Sequence, residues 1–427
     1  MNSAELLKYF EESEWNQTLT RLYGASAVAE QHTRYLGLTE AFQKRFGETD
    51  TGIRIFSSPG RTEIGGNHTD HNLGKVLTGS IDLDSIAVAV TTDDGMITVH
   101  DLKYDEDFSV SLEDTQKRPG ERGAISLVRG ILKGFADRGL KLGGFKACVT
   151  STVISAAGVS SSASFEMLIC AMMDYFYNGG EVPKTVYAQI GQYAENTYWD
   201  KQSGLLDQTA CAVGGLVTID FENPAQPKIR KLEQDFSDYG YGLVIVNTGG
   251  NHADLSSEYS SIPMEMKSVA AFFGKTACRE ISMEELLTNA GKVREVAGDR
   301  AVLRALHFLE ENDRVDREVA ALDRKDFPEF LRLVTESGNS SWKWLQNCYC
   351  PGADREQEIP YALALTDLFI TRKNLVAGHR VHGGGFAGVI MAILPEASIE
   401  EYMEYMRVAG MVPFRMNVRK QGAVALL

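Results

Sequence analysis

The chain has 427 residues, 44% of them hydrophobic and 24% charged, with a net charge of −15. Domains usually run to roughly 100–200 residues, so two or three are expected. The acidic balance excludes a nucleic-acid binder, which needs a basic face against phosphate; it leaves room for a small anionic ligand held at a local site.

The opening segment MNSAELLKYFEESEWNQTLTRLYG is polar and acidic. No run approaches the roughly 18 apolar residues that cross a bilayer. The six cysteines are scattered and lack zinc or thioredoxin spacing. Reduced thiols and a cytoplasmic location are the expectation.

Residues 1–50 carry apolar positions at helical spacing (Leu6, Leu7, Tyr9, Phe10) among many charges and predict helices. Residues 53–60 read as a strand running into a turn at Pro59-Gly60. Residues 76–103 hold β-branched runs broken by Asp93-Asp94-Gly95, a hairpin or meander. Residues 125–139 repeat apolar residues at three and four and end at Gly139, a helix with a glycine cap. A strand over 145–154, a small-residue turn, a helix through about Tyr177 and another over 184–199 follow. Strands at 215–221 and 241–248 flank the proline-containing segment 222–235, the candidate domain boundary. The second half is helix-rich, with a strand at 389–394 and another near FRMNV. Strands and helices mix without regular alternation, which favours α+β layers over a doubly wound sheet.

Two motifs fail on context. Gly-Gly-Gly-Phe-Ala-Gly at 383–388 matches a dinucleotide fingerprint, but the glycines lead into a strand where that fingerprint needs a helix. Gly274-Lys275-Thr276 resembles the end of a P-loop, but its first glycine position holds Val269. A nucleotide, if bound, is held in another way.

Three segments carry chemistry. The loop from Ser58 to Asn72 packs Arg61, Glu63, Asn67, His68, Asp70 and His71 around three glycines, as either a solvated turn or a pocket wall. The segment 155–176 joins Gly158, Ser160, Ser161 and Ser162 to a helix N-terminus, which is an anion site or a plain serine cap. The segment 194–215 sets Glu195 late in a helix and Asp207 twelve residues on, after Gly204; a carboxylate held at such a turn ligates magnesium or accepts a proton, or is an ordinary surface group.

Taken in order, these segments resemble the galactokinase branch of the GHMP small-molecule kinases. Galactokinases carry a pattern near PGRxNxIGEHxDYN, here PGRTEIGGNHTDHN; PxGxGLSSSA, here ISAAGVSSSA; AEH…GIMDQ, here AEN…GLLDQ; and GGGFGG, here GGGFAG. Residues Asn247–Tyr259 are similar to the stretch ending in a sugar-contacting tyrosine. The likeness spans about residues 40–427.

The resemblance implies a two-domain α+β fold, with an N-terminal half like ribosomal S5 domain 2 and a ferredoxin-like C-terminal half. The halves are expected at 41–225 and 226–427, after a helical extension over 1–40. It implies an ATP-dependent kinase that makes a sugar 1-phosphate, with the triphosphate on Gly158, Ser160, Ser161 and Ser162. Ser162 and Glu195 would hold Mg2+. Asp207 would orient or deprotonate the anomeric hydroxyl, and Arg61 would keep it ionised and steady the transferring phosphoryl group. Asn67, His68, Asp70, Tyr259 and Gly384 are the expected sugar side. The implied partners are a sugar and ATP, without nucleic acid or membrane, and a monomer is compatible with them.

Asn67 stands where the family has Glu and His71 where it has Tyr; Ile154, Ala156 and Ala387 replace Pro, Gly and Gly. Asn67 can donate as well as accept, so a sugar altered at C6 or C2 (galacturonate, arabinose, N-acetylgalactosamine) is the alternative substrate. A non-catalytic sensor of sugar and ATP on the same scaffold is the other alternative.

Overall fold

The protein, described from a computed structural model over residues 1–49, 52–154, 158–201, 203–249 and 255–427, is built on two sheets. Ala156, and Gly250–Asp254 of the stretch before Tyr259, lie outside the described residues. The first half holds β1 (Arg54–Gly65), β2 (Lys75–Thr92), β3 (Met96–Asp101), β4 (Glu106–Ser111), β5 (Gly144–Ser151), β6 (Leu216–Asp220) and β7 (Lys228–Leu232). The second holds β8 (Tyr241–Asn247), β9 (Gly378–His382), β10 (Val389–Pro395), β11 (Val412–Met416) and β12 (Val424–Ala425).

The eight-stranded sheet runs β12-β1-β2-β5-β3-β4, with β6 and β7 branching from β2. The four-stranded antiparallel sheet runs β11-β8-β10-β9. Helices pack between and around the two, which is the expected α+β architecture. The segment 222–235 carries β7, paired with β6, and the C-terminal strand β12 returns to pair with β1. The expected strand near FRMNV is β11, shifted to Val412–Met416.

Alternation along the large sheet explains why both its faces are covered. Ala87 and Ala89 face the core formed with helices Ala124–Ala136, Ser161–Tyr177 and Lys184–Tyr193, while Ile86 and Val88 face the other way. That second face is closed by the N-terminal helices Ser3–Tyr9, Ser13–Tyr23 and Val28–Phe46, through Leu6, Trp15, Leu19, Tyr35, Leu38 and Phe42. The extension, for which the sequence alone suggests no task, is half of a core.

One buried carboxylate ties its edge together. Asp84 on β2 accepts from Arg34 at 2.5 Å, Tyr23 at 2.5 Å and Arg419 at 2.8 Å, and from Ser57. These partners come from the second and third N-terminal helices, β1 and the C-terminal tail. Burial alone would raise the Asp84 pKa; Arg34 and Arg419 outweigh it and hold the group below the usual carboxylate range. The folded carboxyl binds its proton more weakly than the unfolded one. Its contribution is therefore present at neutral pH and fades as pH falls below that range.

Asp84→Ala leaves two buried guanidinium groups without their counter-ion and should cost roughly 3–5 kcal/mol. Urea unfolding at pH 7 reads this directly; a loss below about 0.5 kcal/mol, the size of an ordinary surface substitution, would remove Asp84 from this role.

Candidate active site

The sequence pattern ends the first strand at Pro59-Gly60, but β1 continues to Gly65. Its pairing with β2 shifts register between Pro59 and Arg61 and again between Glu63 and Gly65. Such irregularities accommodate a proline and re-aim side chains. Arg61 and Glu63, two residues apart, both line one cavity.

Arg61 is the join. Its Nε donates to Asp207 Oδ1 at 2.7 Å, a second nitrogen lies 2.7 Å from the same oxygen, and a third donates to the Gly158 carbonyl. Asp207 sits in the first turn of helix Leu206–Val213 and also accepts from Ser160 Oγ at 2.5 Å. Burial would raise its pKa; Arg61, Lys201 and Ser160 together hold it below the ordinary value, so it is a carboxylate at neutral pH.

The turn before helix Ser161–Tyr177 is shaped for an anion. Gly158 has φ +66 and Ser160 φ 60, and the helix N-terminus follows at once. Ser162 Oγ donates to Glu195 Oε1 at 2.6 Å, and the Lys201 ammonium bridges the pair, 2.6 Å from Glu195 and 3.2 Å from Ser162. Two oxygens already joined by a cation fit a small hard ion such as Mg2+. Among the described residues no group of three or more His, Cys, Asp and Glu could hold a metal. An ion here would take its remaining oxygens from water and a phosphate ligand, as Mg2+ usually does.

Behind this pair, Gln208 Nε2 donates to Glu195 at 3.0 Å and to Glu166 at 3.1 Å. Burial, with Glu195 adding to it, pushes the Glu166 carboxyl well up, so one of the two carboxyls is neutral.

The other side of Arg61 is a cavity of about 170 Å³ lined by Arg61, Glu63, His68, Asp70, His71, Ser203, Gly204, Leu206, Asp207, Gly383 and Gly384. His68 Nε2 donates to the Gly384 carbonyl at 2.9 Å; burial, then His71, lowers its pKa to about 4, so the ring is neutral. Tyr259 stands just behind the lining. Its hydroxyl donates to the Gly385 carbonyl at 3.1 Å, and its ring occupies the space that a Cβ on Gly384 would need.

Asn67 is not among the lining residues. Its side-chain NH2 donates to the Gly383 carbonyl at 2.8 Å, and its oxygen accepts from Asn347 at 2.8 Å and Ser341 at 3.2 Å. The fully buried amide holds the glycine loop. Glu63, which the motif reading passed over, faces the cavity instead, and the period of two from Arg61 along β1 was the available signal. Lys201 was also passed over, with no signal beyond its charge.

A second cavity, about 260 Å³, is lined by Arg61, Gly158, the three serines, Lys201 and Asp207. A third, about 300 Å³, is largely apolar, with Tyr104, Leu127, Val149, Val153, Phe165 and Trp199, and it reaches Ser161 and Ser162. The first two share Arg61 and Asp207, and the last two share Ser161, Ser162 and Trp199. Together they form one track: an apolar slot, an anion turn, an Arg–Asp pair and a polar chamber.

The chain is similar to known proteins over most of its length. Residues 40–91 match the galactokinase galactose-binding signature, and residues 126–215 match the GHMP kinases N terminal domain. The chain is 30% identical over 405 residues to the galactokinase of Bos taurus, covering 90% of this chain and 95% of that one. It is 29% identical over 367 residues to the galactokinase of Streptomyces coelicolor, covering 84% and 89%. Its fold is similar to that of the Lactococcus lactis galactokinase complexed with galactose, with a TM-score of 0.77 at 24% identity, covering 91% and 99%.

Gln208→Leu removes the donor shared by Glu195 and Glu166 and should cost about 1–3 kcal/mol in urea unfolding. Glu166→Gln replaces a neutral acid by a neutral amide of the same shape and should cost less than about 1 kcal/mol at pH 7, below the usual cost of leaving a buried polar group unmade. A larger loss for Glu166→Gln than for Gln208→Leu would show that Glu166 is ionised.

Proposed function

Since the chain belongs to the galactokinase branch of the GHMP kinase family, we propose that it transfers the γ-phosphoryl group of ATP to the anomeric hydroxyl of galactose, giving galactose 1-phosphate and ADP. The observation that carries this reading is the shared wall. Arg61 and Asp207 border both the polar chamber and the anion turn, so a hydroxyl in one faces a phosphoryl group in the other.

In this reading the apolar slot takes the nucleotide base, and the Gly158–Ser162 turn with its helix N-terminus takes the phosphates. Ser162 and Glu195 would hold Mg2+, which would neutralise phosphate charge there. Lys201, beside that pair, adds positive charge. Asp207 accepts the proton of the anomeric hydroxyl as its oxygen bonds to the γ-phosphorus and the bond to the β-phosphate oxygen breaks. Arg61 keeps Asp207 anionic beforehand and faces the transferring group during the step. Phosphoryl transfer asks for this positioning and charge balance more than for covalent catalysis.

On the sugar side, Asp70, His68 and His71 line the chamber. Asp70 is the strongest acceptor for ring hydroxyls, because a wrong epimer would leave it buried and unpaired. Asn67, Tyr259 and Gly384 act by setting the shape of the glycine loop.

Asp207→Asn should lower turnover on galactose by about 10²–10⁴-fold, the range of a lost proton acceptor, with ATP affinity within a fewfold of the parent. ADP release and nucleotide titration measure the two. A normal rate would take Asp207 out of the mechanism. A panel of sugars that stabilise the protein thermally but never release ADP would instead support a sensor.

A further inference from the structure

Glu63 is the carboxyl in the sugar chamber that the mechanism leaves without work. It follows Arg61 by two residues on β1, so its side chain leaves the strand on the same side about 7 Å further along. Both line the chamber. An ionised carboxylate this buried is ordinarily met by two or more short hydrogen bonds. Among the described residues, Glu63 is reached by one, from Asn67 Nδ2 at 3.5 Å.

The surrounding charges are turned elsewhere. Arg61 gives its nitrogens to Asp207 and Gly158. Arg380 on β9 donates to the carbonyls of Val381 at 2.9 Å and Ile64 at 2.8 Å. His382, also on β9, meets Glu63 only at its backbone N–H, 3.2 Å away. Asp70 from the turn after β1 and Asp207 from the helix add negative charge. The long helix Asp299–Asp323 reaches β1 one turn further on, where Glu311 accepts from the Gly66 N–H. Burial dominates and, against the pull of Arg380 and Arg61, pushes the Glu63 carboxyl up to about 8.

We propose that Glu63 is a specificity residue for the sugar, a neutral carboxylic acid that gives one hydrogen bond to a ring hydroxyl and takes one from it, on the side of the sugar away from the reacting centre. This rests on the sugar-kinase reading and narrows its substrate class. A hydroxyl is the complement of a neutral acid, since each has one donor and an acceptor. A uronate would bring another anion beside Asp70 and Asp207, where Arg61, the one guanidinium lining the chamber among the described residues, is already engaged by Asp207. The neutral ring of His68 offers no compensation. The chamber therefore takes an uncharged aldose and refuses its C6 acid, which decides against galacturonate without calling on Asn67.

The test is sugar binding by calorimetry, kept apart from turnover. Glu63 ionises as pH rises through about 8, so the binding form is lost on the alkaline side. Galactose affinity of the parent should fall about tenfold between pH 7 and pH 9, as the competent fraction falls, with ATP affinity steady. Glu63→Ala should weaken galactose tenfold or more at pH 7. Glu63→Gln, which keeps a donor and an acceptor, should lose less and show a flat pH profile. A flat profile in the parent, an E63Q loss equal to that of E63A, or tighter binding of galacturonate than of galactose overturns the proposal. Failure of ADP release with every sugar would overturn the kinase reading alone, since binding and its pH profile still judge Glu63.

Discussion

The arrangement depends on Arg61 being held from three sides. Its guanidinium pairs with Asp207 and with the Gly158 carbonyl, and its backbone N–H donates to the Val159 carbonyl at 3.2 Å. One side chain thereby locks the position of β1, the turn at Gly158 and the helix that carries Asp207. Burial would favour a neutral Asp207, and the same pairing prevents it. Position and charge are set by one contact, so a shift of β1 would misplace the turn and change the charge of Asp207 together.

That places a demand on β1, and the rest of the chain meets it. At one end Ser57 joins the Asp84 cluster, which gathers two N-terminal helices and the C-terminal tail. At the other end Arg380 donates to Ile64, His382 accepts from the Glu63 N–H, and His307 donates to the Asn67 carbonyl at 3.0 Å. The strand is clamped by the N-terminal extension on one side and by the second sheet and its helices on the other. The extension therefore supports β1 from behind, by covering the face of the sheet that the helices Ala124–Ala136, Ser161–Tyr177 and Lys184–Tyr193 leave open.

How much of this was legible in the sequence follows from the range of each interaction. Motif order singled out Arg61, the serine turn, Glu195 and Asp207, which the fold brings together, because each motif carries its own local geometry and chemistry. The irregular mix of strands and helices identified α+β layers. Asn67 was legible as a departure but not in its consequence. Its partners Asn347, Ser341 and Gly383 lie far along the chain, and no local pattern reveals that an amide is saturated. Glu63 was legible as one polar residue of the loop but not in its direction, because a loop does not say which way an acidic side chain faces. Once that loop is a strand, period two puts it beside Arg61. The continuation of β1 past Pro59-Gly60 was hidden because those residues ordinarily end a strand, and only the pairing with β2 shows the bulge that absorbs them.

Six of the buried carboxyls divide on one feature. Asp84, Asp207 and Glu311 each take a hydrogen bond from an arginine, and each is held below its ordinary range despite burial. Glu63, Glu166 and Glu318 lack such a bond, and burial pushes each of them up. The first group gives stability that is present at neutral pH and lost as pH falls. The second binds its protons more tightly when folded, so its contribution weakens as pH rises from the unfolded value toward the folded one. For Glu63 that window runs from 4.5 to about 8. The chamber wall draws on both groups: Asp207 is an arginine-bound carboxylate, and Glu63 is an acid that no arginine among the described residues reaches by a hydrogen bond. The placement of guanidinium groups, more than the count of acidic residues, decides which of these carboxyls is held as an anion.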